Sequence, residues 1–463
     1  MVSTGLSVEV EETAPPRPAG RNTAWQRYVN RLLAKELSRM TRYFDCVYQW
    51  LPRAHDTRKI LADIDAPRKA VIEEGQPFPD LSREADRRTA VLVNGTFNHH
   101  YDIQGLLTGV RSKLSRTSRL MVVLYNPYLR WLYGMANQFG LRKGELPSTF
   151  ITQGDLENIV KISGYEIVHQ RYVGYAPWRL LGLGDLINRV MPLVPVLRWF
   201  GLTMVVTLRP VIASPPTGLS VVIPARNERG NIENALLRMP DLGCPIEVIF
   251  VEGNSNDGTW EEIQRVARAY ADRFKILTLQ QTGKGKADAV RLGFSRATMP
   301  LLTILDADLT MPPEMLGRFY EAYRQGRGDF VNGTRLVYPM EGDAMRFLNR
   351  LGNIFFAKSL SWVLGVHLGD SLCGTKLMAK HDYDRFIAWR ADFGDFDPFG
   401  DYELLFPAAV LGLGMVDIPV RYMARQYGST NIRRFRDGFQ LLRMTSTGFF
   451  RIKLGFARHV RTR

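Results

Sequence analysis

Two aspartates, two residues apart, directly follow a short apolar run. Residues 301–305 read Leu-Leu-Thr-Ile-Leu, which is typical of a buried strand, and Asp306 and Asp308 come immediately after them. Where the strand ends, acids at this spacing can turn toward one divalent cation. Mg²⁺ and Mn²⁺ take carboxylate oxygens and commonly connect a protein to substrate phosphates. Because an ordinary strand-to-loop exit can also carry two acids, the interpretation depends on the neighbouring segments.

Strands and helices alternate in the sequence downstream of residue 215. Short apolar, β-branched runs are separated by segments with helical spacing, which predicts a parallel sheet with helices on both faces. In such sheets ligands bind beyond the carboxyl ends of the strands. The predicted strands are 219–224, 246–251, 276–279 and 301–305, and the predicted helices are 231–239, 259–272 and 287–297.

Polar residues cluster where these predicted strands end. Asn, Asp, Ser and Gly are also common in turns and helix caps, and that role accounts for some of them. A role in turns and caps does not explain why Lys284 and Lys286 occur within a glycine run beside the acidic pair Asp306 and Asp308. Backbone N–H groups and lysines suit a nucleotide diphosphate, with a metal on the opposite side. The clusters are 224–228 (Pro-Ala-Arg-Asn-Glu), 252–259 (Glu-Gly-Asn-Ser-Asn-Asp-Gly-Thr), 283–288 (Gly-Lys-Gly-Lys-Ala-Asp) and 306–308.

Taken together, these segments resemble the inverting nucleotide-sugar glycosyltransferases of family 2, which have a GT-A fold. The nearest resemblance is to dolichyl-phosphate mannose synthase and related polyprenyl-phosphate glycosyltransferases, over about residues 220–440. It implies a UDP- or GDP-sugar donor and Mg²⁺ or Mn²⁺ held by Asp306 and Asp308. The residues implied to bind the donor and its metal are Pro224, Ala225, Asn227, Glu228, Glu252, Asn254, Lys284, Lys286, Asp288, Asp306, Ala307, Arg335 and Lys376.

The resemblance also implies individual roles. Glu228 holds the ribose region, and Glu252 stands where the family usually has an Asp that reads the base. Arg335 and Arg425 neutralise the leaving diphosphate together with the metal at Asp308, with Arg425 in a loop at 425–431 that closes over it. Two departures are visible: residues 252–255 replace the common Asp-Asp-Gly-Ser, and Thr310 replaces a common Gln.

The acceptor decides whether the reaction needs a base. A lipid phosphate is already an anionic nucleophile, whereas a sugar hydroxyl requires a carboxylate within about 2.6–3.2 Å. Asp401 and Glu403 are the candidates, and at i, i+2 on a helix they cannot both face one point. We expect Glu403 to be the functional acid and Asp401 to be a cap or support. A polyprenyl phosphate is the favoured acceptor; the alternatives are a saccharide hydroxyl in cell-surface polysaccharide synthesis and a catalytically dead scaffold.

The positive charge of the chain predicts an anionic partner. The formal net charge is +15, and residues 421–463 contain eleven Arg and Lys against one acid, Asp437. Aromatic residues are interleaved with these basic ones, which is typical of a segment that lies in the headgroup region of an anionic membrane. Nucleic-acid binding is not expected, because no nucleic-acid module accompanies the basic residues.

The sequence indicates a cytoplasmic protein at the inner face of the cell membrane. The most apolar stretch, 190–208, is interrupted by Pro192, Pro195 and Arg198, so we reject a spanning helix there and leave surface contact open. Residues 1–22 lack the apolar core of a signal peptide. The three cysteines are widely spaced, which favours a reducing compartment.

Residues 25–212 predict a second α/β unit. It is similar to the rear half of a Rossmann-type S-adenosylmethionine methyltransferase, but no Gly-x-Gly loop occurs between Tyr43 and Thr89. We therefore expect a degenerate domain that serves docking or stability; the alternative is a bifunctional methyltransferase–glycosyltransferase.

The predicted fold class is α/β, with a mostly parallel, Rossmann-like GT-A domain and a truncated Rossmann-like domain before it. The predicted divisions are a disordered tail at 1–24, the truncated methyltransferase-like domain at 25–212, a linker at 213–218, the GT-A domain at 219–431 and a basic amphipathic segment at 432–463.

Overall fold

The computed structural model describes most of the chain. The described residues are 23–53, 57–84, 86–339, 347–394, 397, 399–425, 427 and 434–454. Most of the predicted tail at 1–24, most of the predicted closing loop at 425–431 and the end of the basic segment lie outside them.

The first sheet uses residues 46–210. Its strands are β1 (Cys46–Trp50), β2 (Lys69–Ile72), β3 (Thr89–Asn94), β4 (Arg119–Tyr125), β5 (Tyr165–Val173) and β6 (Thr203–Pro210). The helices are α1 (Ala24–Thr41), α2 (Thr57–Asp63), α3 (Ile103–Arg111), α4 (Arg130–Gln138), α5 (Gln153–Ile162) and α6 (Leu183–Val190). Within the described residues the strand order is β2-β1-β3-β4-β6-β5, and β6 alone is antiparallel to both neighbours.

The second sheet uses residues 219–419. Its strands are β7 (Leu219–Ala225), β8 (Ile246–Glu252), β9 (Lys275–Gln280), β10 (Leu301–Ile304), β11 (Phe330–Thr334), β12 (Lys376–Ala379) and β13 (Met415–Pro419). The helices are α7 (Ile232–Leu237), α8 (Thr259–Ala269), α9 (Lys286–Arg296), α10 (Leu316–Arg324), α11 (Phe347–Leu364), α12 (Lys380–Phe393), α13 (Tyr402–Val410) and α14 (Arg434–Gly448), and a π-helical turn follows at Phe449–Lys453. The described strands have the order β13-β11-β12-β10-β7-β8-β9, and β12 is antiparallel to β10 and β11.

The predicted fold class is confirmed. Each strand predicted downstream of residue 215 is present within one or two residues, and all four of those strands are parallel. The continuous apolar runs of β7 and β10 are buried because helices cover both faces of the sheet, which gives two apolar cores. The stretch at 190–208 divides between the end of α6, short turns and the buried strand β6.

The sequence does not predict five elements of the first unit, namely β1, α1, α2, α4 and α6. The strand β1 reads Cys-Val-Tyr-Gln-Trp, and its polar Gln49 is fully buried, so the run lacks the apolar signature of a central strand. The residues after β1 are Leu51, Pro52 and Arg53, which contain no glycine. No helix in the described part of the chain combines the length and hydropathy that a membrane span requires.

One buried carboxylate joins the two units. Asp329 precedes β11 and is 3% exposed. Three arginines of the N-terminal unit donate to it: Arg119 at 2.7 Å, Arg116 at 3.0 Å and Arg209 at 3.5 Å. The backbone N–H of Gly414 donates as well. A buried charge cluster of this kind is stable only while its partners are all present.

The pKa of Asp329 lies far below its usual value. Burial alone would raise it, but Arg209, Arg119 and Arg116 outweigh that effect. Because the pKa is depressed in the folded state, the ionised carboxylate stabilises the fold above the pKa of the unfolded chain. This contribution is lost as the pH falls below that value toward the folded pKa.

We expect Asp329→Asn to lower the free energy of unfolding by about 3–5 kcal/mol, because Arg116 and Arg119 lose a carboxylate partner and Arg209 keeps only Glu166. Denaturant unfolding followed by circular dichroism measures the change. Asp272→Asn is the matched control, since Asp272 is exposed, and it should unfold like the parent protein. Equal stability of the two variants would mean that the cluster does not hold the units together.

Candidate active site

The candidate site lies at the carboxyl ends of β7, β8 and β10. Three residues in the loops after these strands have positive φ: Asn227 at 56°, Asn254 at 59° and Leu309 at 51°. Asn tolerates this region, but a Leu there costs of order 1–3 kcal/mol and persists only where its surroundings impose it. Strained backbone therefore coincides with the edge at which the sequence places its polar clusters.

Arg425 connects two of the predicted acids. Its guanidinium donates to Asp308 Oδ2 at 2.5 Å and to Glu228 Oε1 at 3.1 Å. The other oxygen of Asp308 accepts from the backbone N–H and the hydroxyl of Thr310, at 3.1 and 2.9 Å. The other oxygen of Glu228 accepts from Asn231 at 2.7 Å. Residues separated by up to 197 positions thus share one charge network.

The pKa of Glu228 is raised above its usual value. Its burial, reinforced by the nearby charges of Asp308 and Asp257, raises its pKa to about 6. Asn231 and Arg425 oppose this shift by stabilising the carboxylate. Perturbed carboxyl groups of this kind concentrate at functional sites.

Asp306 is paired with Lys286 from the start of α9. Burial raises the pKa of Asp306, but Lys286 outweighs it, so the pKa lies below its usual value. The pKa of Lys286 rises in turn: burial lowers it, but Asp306 and Asp401 outweigh this. Gly374 lies against the pair, and a Cβ at that position would collide with both the carboxylate and the ammonium group.

Two further predicted cations are already paired. Arg335 makes a bidentate contact with the buried Asp370, at 2.6 and 3.0 Å. Lys376 is fully buried, contacts Asp401 at 2.5 Å and donates to the carbonyl oxygen of Cys373. Both lie near enough to Asp306 to lower its pKa. They therefore add positive charge to the site, with their own charges offset by carboxylates.

The remaining predicted donor residues surround this network. Glu252 is buried and accepts from the backbone N–H of Ser255 at 2.5 Å. Asn227 accepts from the backbone N–H of Asn256 at 3.0 Å, which ties the first two loops together. The structure places Pro224, Ala225 and Ala307 at strand ends, Asn254 and Lys284 at the surface, and Asp288 half-buried against Gly283.

The predicted acceptor-side acids have other partners. Glu403 is buried and accepts a bidentate contact from Arg291, with Oε2 at 2.7 Å from Nη2, and Arg390 is 3.8 Å away. Asp401 makes no capping bond, so its predicted capping role is wrong. Its role as a support fits the contact with Lys376.

The cap of α13 is Asp397, which the sequence reasoning missed. It accepts from the backbone N–H groups of Phe399, Tyr402 and Glu403, at 2.6–3.0 Å. Burial, with Asp401 nearby, raises its pKa to about 6. An acid ahead of a predicted helix start is the signal that could have found it.

Within the described ranges no group of three or more His, Cys, Asp and Glu side chains has the geometry to hold a metal ion. Asp306 and Asp308 supply two carboxylates, which suits a cation that takes its remaining ligands from water and substrate phosphates. The donor set therefore fits a hard divalent ion bound together with a diphosphate.

Comparison with known proteins identifies the family. The model of Glycosyl transferase family 2 matches residues 220–382. The chain is 30% identical over 224 residues to the dolichyl-phosphate hexose transferase of Haloferax volcanii, an alignment that covers 48% of this chain and 89% of the relative. The chain therefore belongs to glycosyl transferase family 2, as its motifs predict.

Other relatives are matched over less of their length. The dolichol-phosphate mannosyltransferase of Pyrococcus furiosus is 35% identical over 121 residues, 26% of this chain and 33% of that protein. The undecaprenyl-phosphate 4-deoxy-4-formamido-L-arabinose transferase of Aeromonas hydrophila is 31% identical over 173 residues, 36% of this chain and 51% of that protein. The chain thus spans between a third and a half of these two relatives.

Solved structures are similar over about half of the chain. A mannosyltransferase from Pyrobaculum calidifontis, in complex with GDP-Man and Mn²⁺, is 20% identical. The match covers 47% of this chain and 60% of that one, with a TM-score of 0.34. Glucosyl-3-phosphoglycerate synthase from Mycobacterium tuberculosis, in complex with Mn²⁺, UDP and glucosyl-3-phosphoglycerate, is 16% identical. The match covers 52% of this chain and 82% of that one, with a TM-score of 0.36.

We expect Gly374→Ala to reduce sugar transfer by about 100-fold, because the added Cβ displaces Asp306 and Lys286 and a misplacement of about 1 Å can cost that much. Initial rates at saturating donor measure the effect. Gly109→Ala in α3 is the matched control, since nothing lies within 4 Å of its added Cβ. Unchanged sugar transfer by Gly374→Ala would mean that the ion pair of Asp306 and Lys286 does not take part in the reaction.

Proposed function

We propose that the protein transfers a sugar from a nucleotide-diphosphate sugar to a polyprenyl phosphate, in a metal-dependent reaction at the cytosolic face of the membrane. The observation that carries the proposal is the position of Asp306 and Asp308 at one strand end, each within contact distance of a basic side chain. Family membership and the acceptors named in its relatives, dolichyl and undecaprenyl phosphates, support it.

The donor would occupy the carboxyl edge of the sheet. Glu228 would hold the ribose, Glu252 would read the base, and the loop with Lys284 and Lys286 would lie along the diphosphate. Asp306 and Asp308 would hold Mg²⁺ or Mn²⁺, which when bound neutralises charge on the leaving diphosphate. The neighbours Arg335, Lys376 and Arg425 favour an anionic ligand beside these acids; removal of one such stabilising group commonly costs about 100–1,000-fold.

Arg425 is suited to move between two roles. Its guanidinium contacts Asp308 and Glu228. A guanidinium can form bidentate contacts with phosphate as readily as with carboxylate. We infer that Arg425 would turn to the diphosphate if Asp306 and Asp308 held a metal ion, which would keep the charge of the site balanced.

The surroundings of Glu403 favour a lipid phosphate as the acceptor. A general base must be able to take a proton, and Arg291 and Arg390 stabilise the ionised form of Glu403. A phosphate acceptor is already ionised and needs no base. The alternative, a saccharide hydroxyl, would require Glu403 to leave Arg291 or another acid to act.

The C-terminal segment supports a peripheral location at the membrane. Residues 421–463 carry the net charge of +10 that follows from eleven basic residues and one acid. On α14 and the turn after it, Phe439, Leu442 and Phe450 are exposed. A basic segment with exposed aromatic side chains suits the headgroup region of an anionic bilayer.

We propose a structural role for the N-terminal unit. Its first strand ends in Leu51, Pro52 and Arg53, without the glycines that allow close approach of a nucleotide-like cofactor. Its arginines instead reach Asp329 of the second unit. This supports a degenerate methyltransferase-like domain that stabilises its neighbour.

We expect Asp308→Asn to abolish the Mn²⁺-dependent part of nucleotide-sugar affinity and to lower transfer by at least about 100-fold, because one metal-binding carboxylate is lost. Calorimetric titration of UDP- and GDP-sugars with and without Mn²⁺ measures the first effect. Asp272→Asn serves again as the control. Transfer, or nucleotide-sugar hydrolysis, that survives in Asp308→Asn would contradict the proposed role of the metal.

We expect the affinity for the nucleotide sugar to fall as the pH drops from about 7 to 5. The raised pKa of Glu228, about 6, means that its carboxylate takes up a proton in this window and loses its strength as an acceptor for the ribose. The diphosphate of a nucleotide sugar stays ionised throughout. Glu228→Gln should bind more weakly and show a flat profile from pH 7 to about 5; a profile that follows the parent protein would assign the titration to another group.

A further inference from the structure

The N-terminal unit presents an unusually apolar surface between residues 180 and 200, here called the apolar segment. Seven large side chains in it are exposed by about half or more: Leu180, Leu181, Leu183, Leu186, Val196, Trp199 and Phe200. Soluble monomers rarely expose contiguous apolar patches beyond a few hundred Å², and larger ones mark interaction sites.

An ordinary surface helix turns its apolar face toward the protein, whereas α6 turns its apolar face toward solvent. Leu183, Leu186 and Val190 lie at i, i+3 and i+7, which is one face of the helix, and all three are exposed. Two polar residues of the same helix bond to the body of the unit instead. Asp185 accepts from the hydroxyl of Tyr28 at 2.6 Å, and Asn188 accepts from the backbone N–H of Tyr175 at 2.7 Å.

These polar anchors fix the apolar face outward. Asn188 also accepts from the backbone N–H of Ala176 and donates to its carbonyl oxygen. Rotation of the helix to bury Leu183 and Leu186 would break all of these bonds and leave backbone groups of Tyr175 and Ala176 unpaired. The exposure of the leucines is therefore built into the fold.

The charges around the apolar segment select its partner. Residues 179–200 contain three exposed arginines, Arg179, Arg189 and Arg198, and one acid, Asp185, which faces Tyr28 and Arg179. In a two-fold contact between copies of the chain, two surfaces with the same net positive charge would face each other. Anionic headgroups instead pair with arginines, while leucines and aromatic rings enter the boundary of the acyl region.

The apolar segment adjoins the C-terminal segment. Arg39 of α1 donates to the carbonyl oxygen of Ile452 at 2.9 Å, which binds the C-terminal turn to the N-terminal unit. Lys453 of that turn lies close enough to Arg198 to feel its charge. The exposed Phe450 is in the same turn. The two basic, apolar surfaces are thus neighbours on the folded chain.

We propose that the apolar segment is a second membrane-contact element, which lies in the interface of an anionic bilayer beside the C-terminal segment. The inference extends the proposed function, and it rests on that function only for the expectation that the acceptor is a lipid. It predicts that bilayer binding needs both surfaces. Neither surface spans the bilayer in this arrangement.

The test uses the full chain and a triple variant, Leu181→Gln/Leu183→Gln/Leu186→Gln. Flotation with vesicles of phosphatidylcholine and phosphatidylglycerol measures the partition coefficient. We expect the variant to bind at least about tenfold more weakly, because three leucine side chains that would leave water on binding are replaced by polar ones. Ile162→Gln/Leu237→Gln/Ile387→Gln is the matched control, since these exposed apolar residues lie outside the segment, and it should bind like the parent protein.

Two outcomes would overturn the proposal. One is equal flotation of the triple variant, the control and the parent protein. The other is a parent protein that is dimeric by light scattering without lipid and becomes monomeric only in the triple variant, which would make the surface a contact between copies. Thermal unfolding verifies that the variants fold. Nucleotide-sugar binding without vesicles should be unchanged in the triple variant, so a failure of the proposed function would be seen separately as absent donor binding in the parent protein.

Discussion

Charge compensation at the strand ends is the constraint on which the rest of the site depends. Asp306 and Asp308 lie two residues apart, and the nearby Glu228 adds a third carboxyl group. Two like charges about 4 Å apart repel by about 4 kcal/mol at the dielectric constant typical near a protein surface. Lys286 and Arg425 offset this repulsion in the structure. A fold that assembles these acids must therefore also bring basic side chains to them from distant parts of the chain.

This explains which parts of the site could be predicted from the sequence. Strand ends and their polar clusters are local patterns, so residue order alone suffices to place Asp306, Asp308 and Glu228 at one edge of the sheet. The partners are not local. Arg425 lies 117 residues from Asp308, and Arg291 lies 112 residues from Glu403. Sequence spacing does not encode such pairs, so only the fold shows that Glu403 is paired with Arg291. This pairing weakens the argument that Glu403 acts as a general base.

The N-terminal unit likewise has features that local sequence patterns predict and features that they do not. The strands β3, β4 and β6 are marked in the sequence by nearly continuous hydrophobic runs, whereas Gln49 interrupts the pattern of β1. The joint between the units was also unpredictable, because no local pattern marks Arg116, Arg119 and Arg209 as buried, yet Arg119 and Arg209 are 1% exposed around Asp329. Buried arginines can be recognised only when their counter-charge is located, and here that charge lies more than a hundred residues away.

The joint between the units has a consequence for the orientation of the site. A single amphipathic element can rest on a bilayer while the rest of the protein rotates about it. Two elements that are fixed relative to one another remove that freedom, and each binds at the effective concentration set by the other. The Asp329 cluster and the contact of Arg39 with Ile452 supply the rigid connection between the apolar segment and the glycosyltransferase domain. A lipid phosphate cannot leave the interface, so an enzyme that acts on one gains most when its strand-end carboxylates are held at a constant height above the membrane. The N-terminal unit would then serve the reaction by holding the site in position.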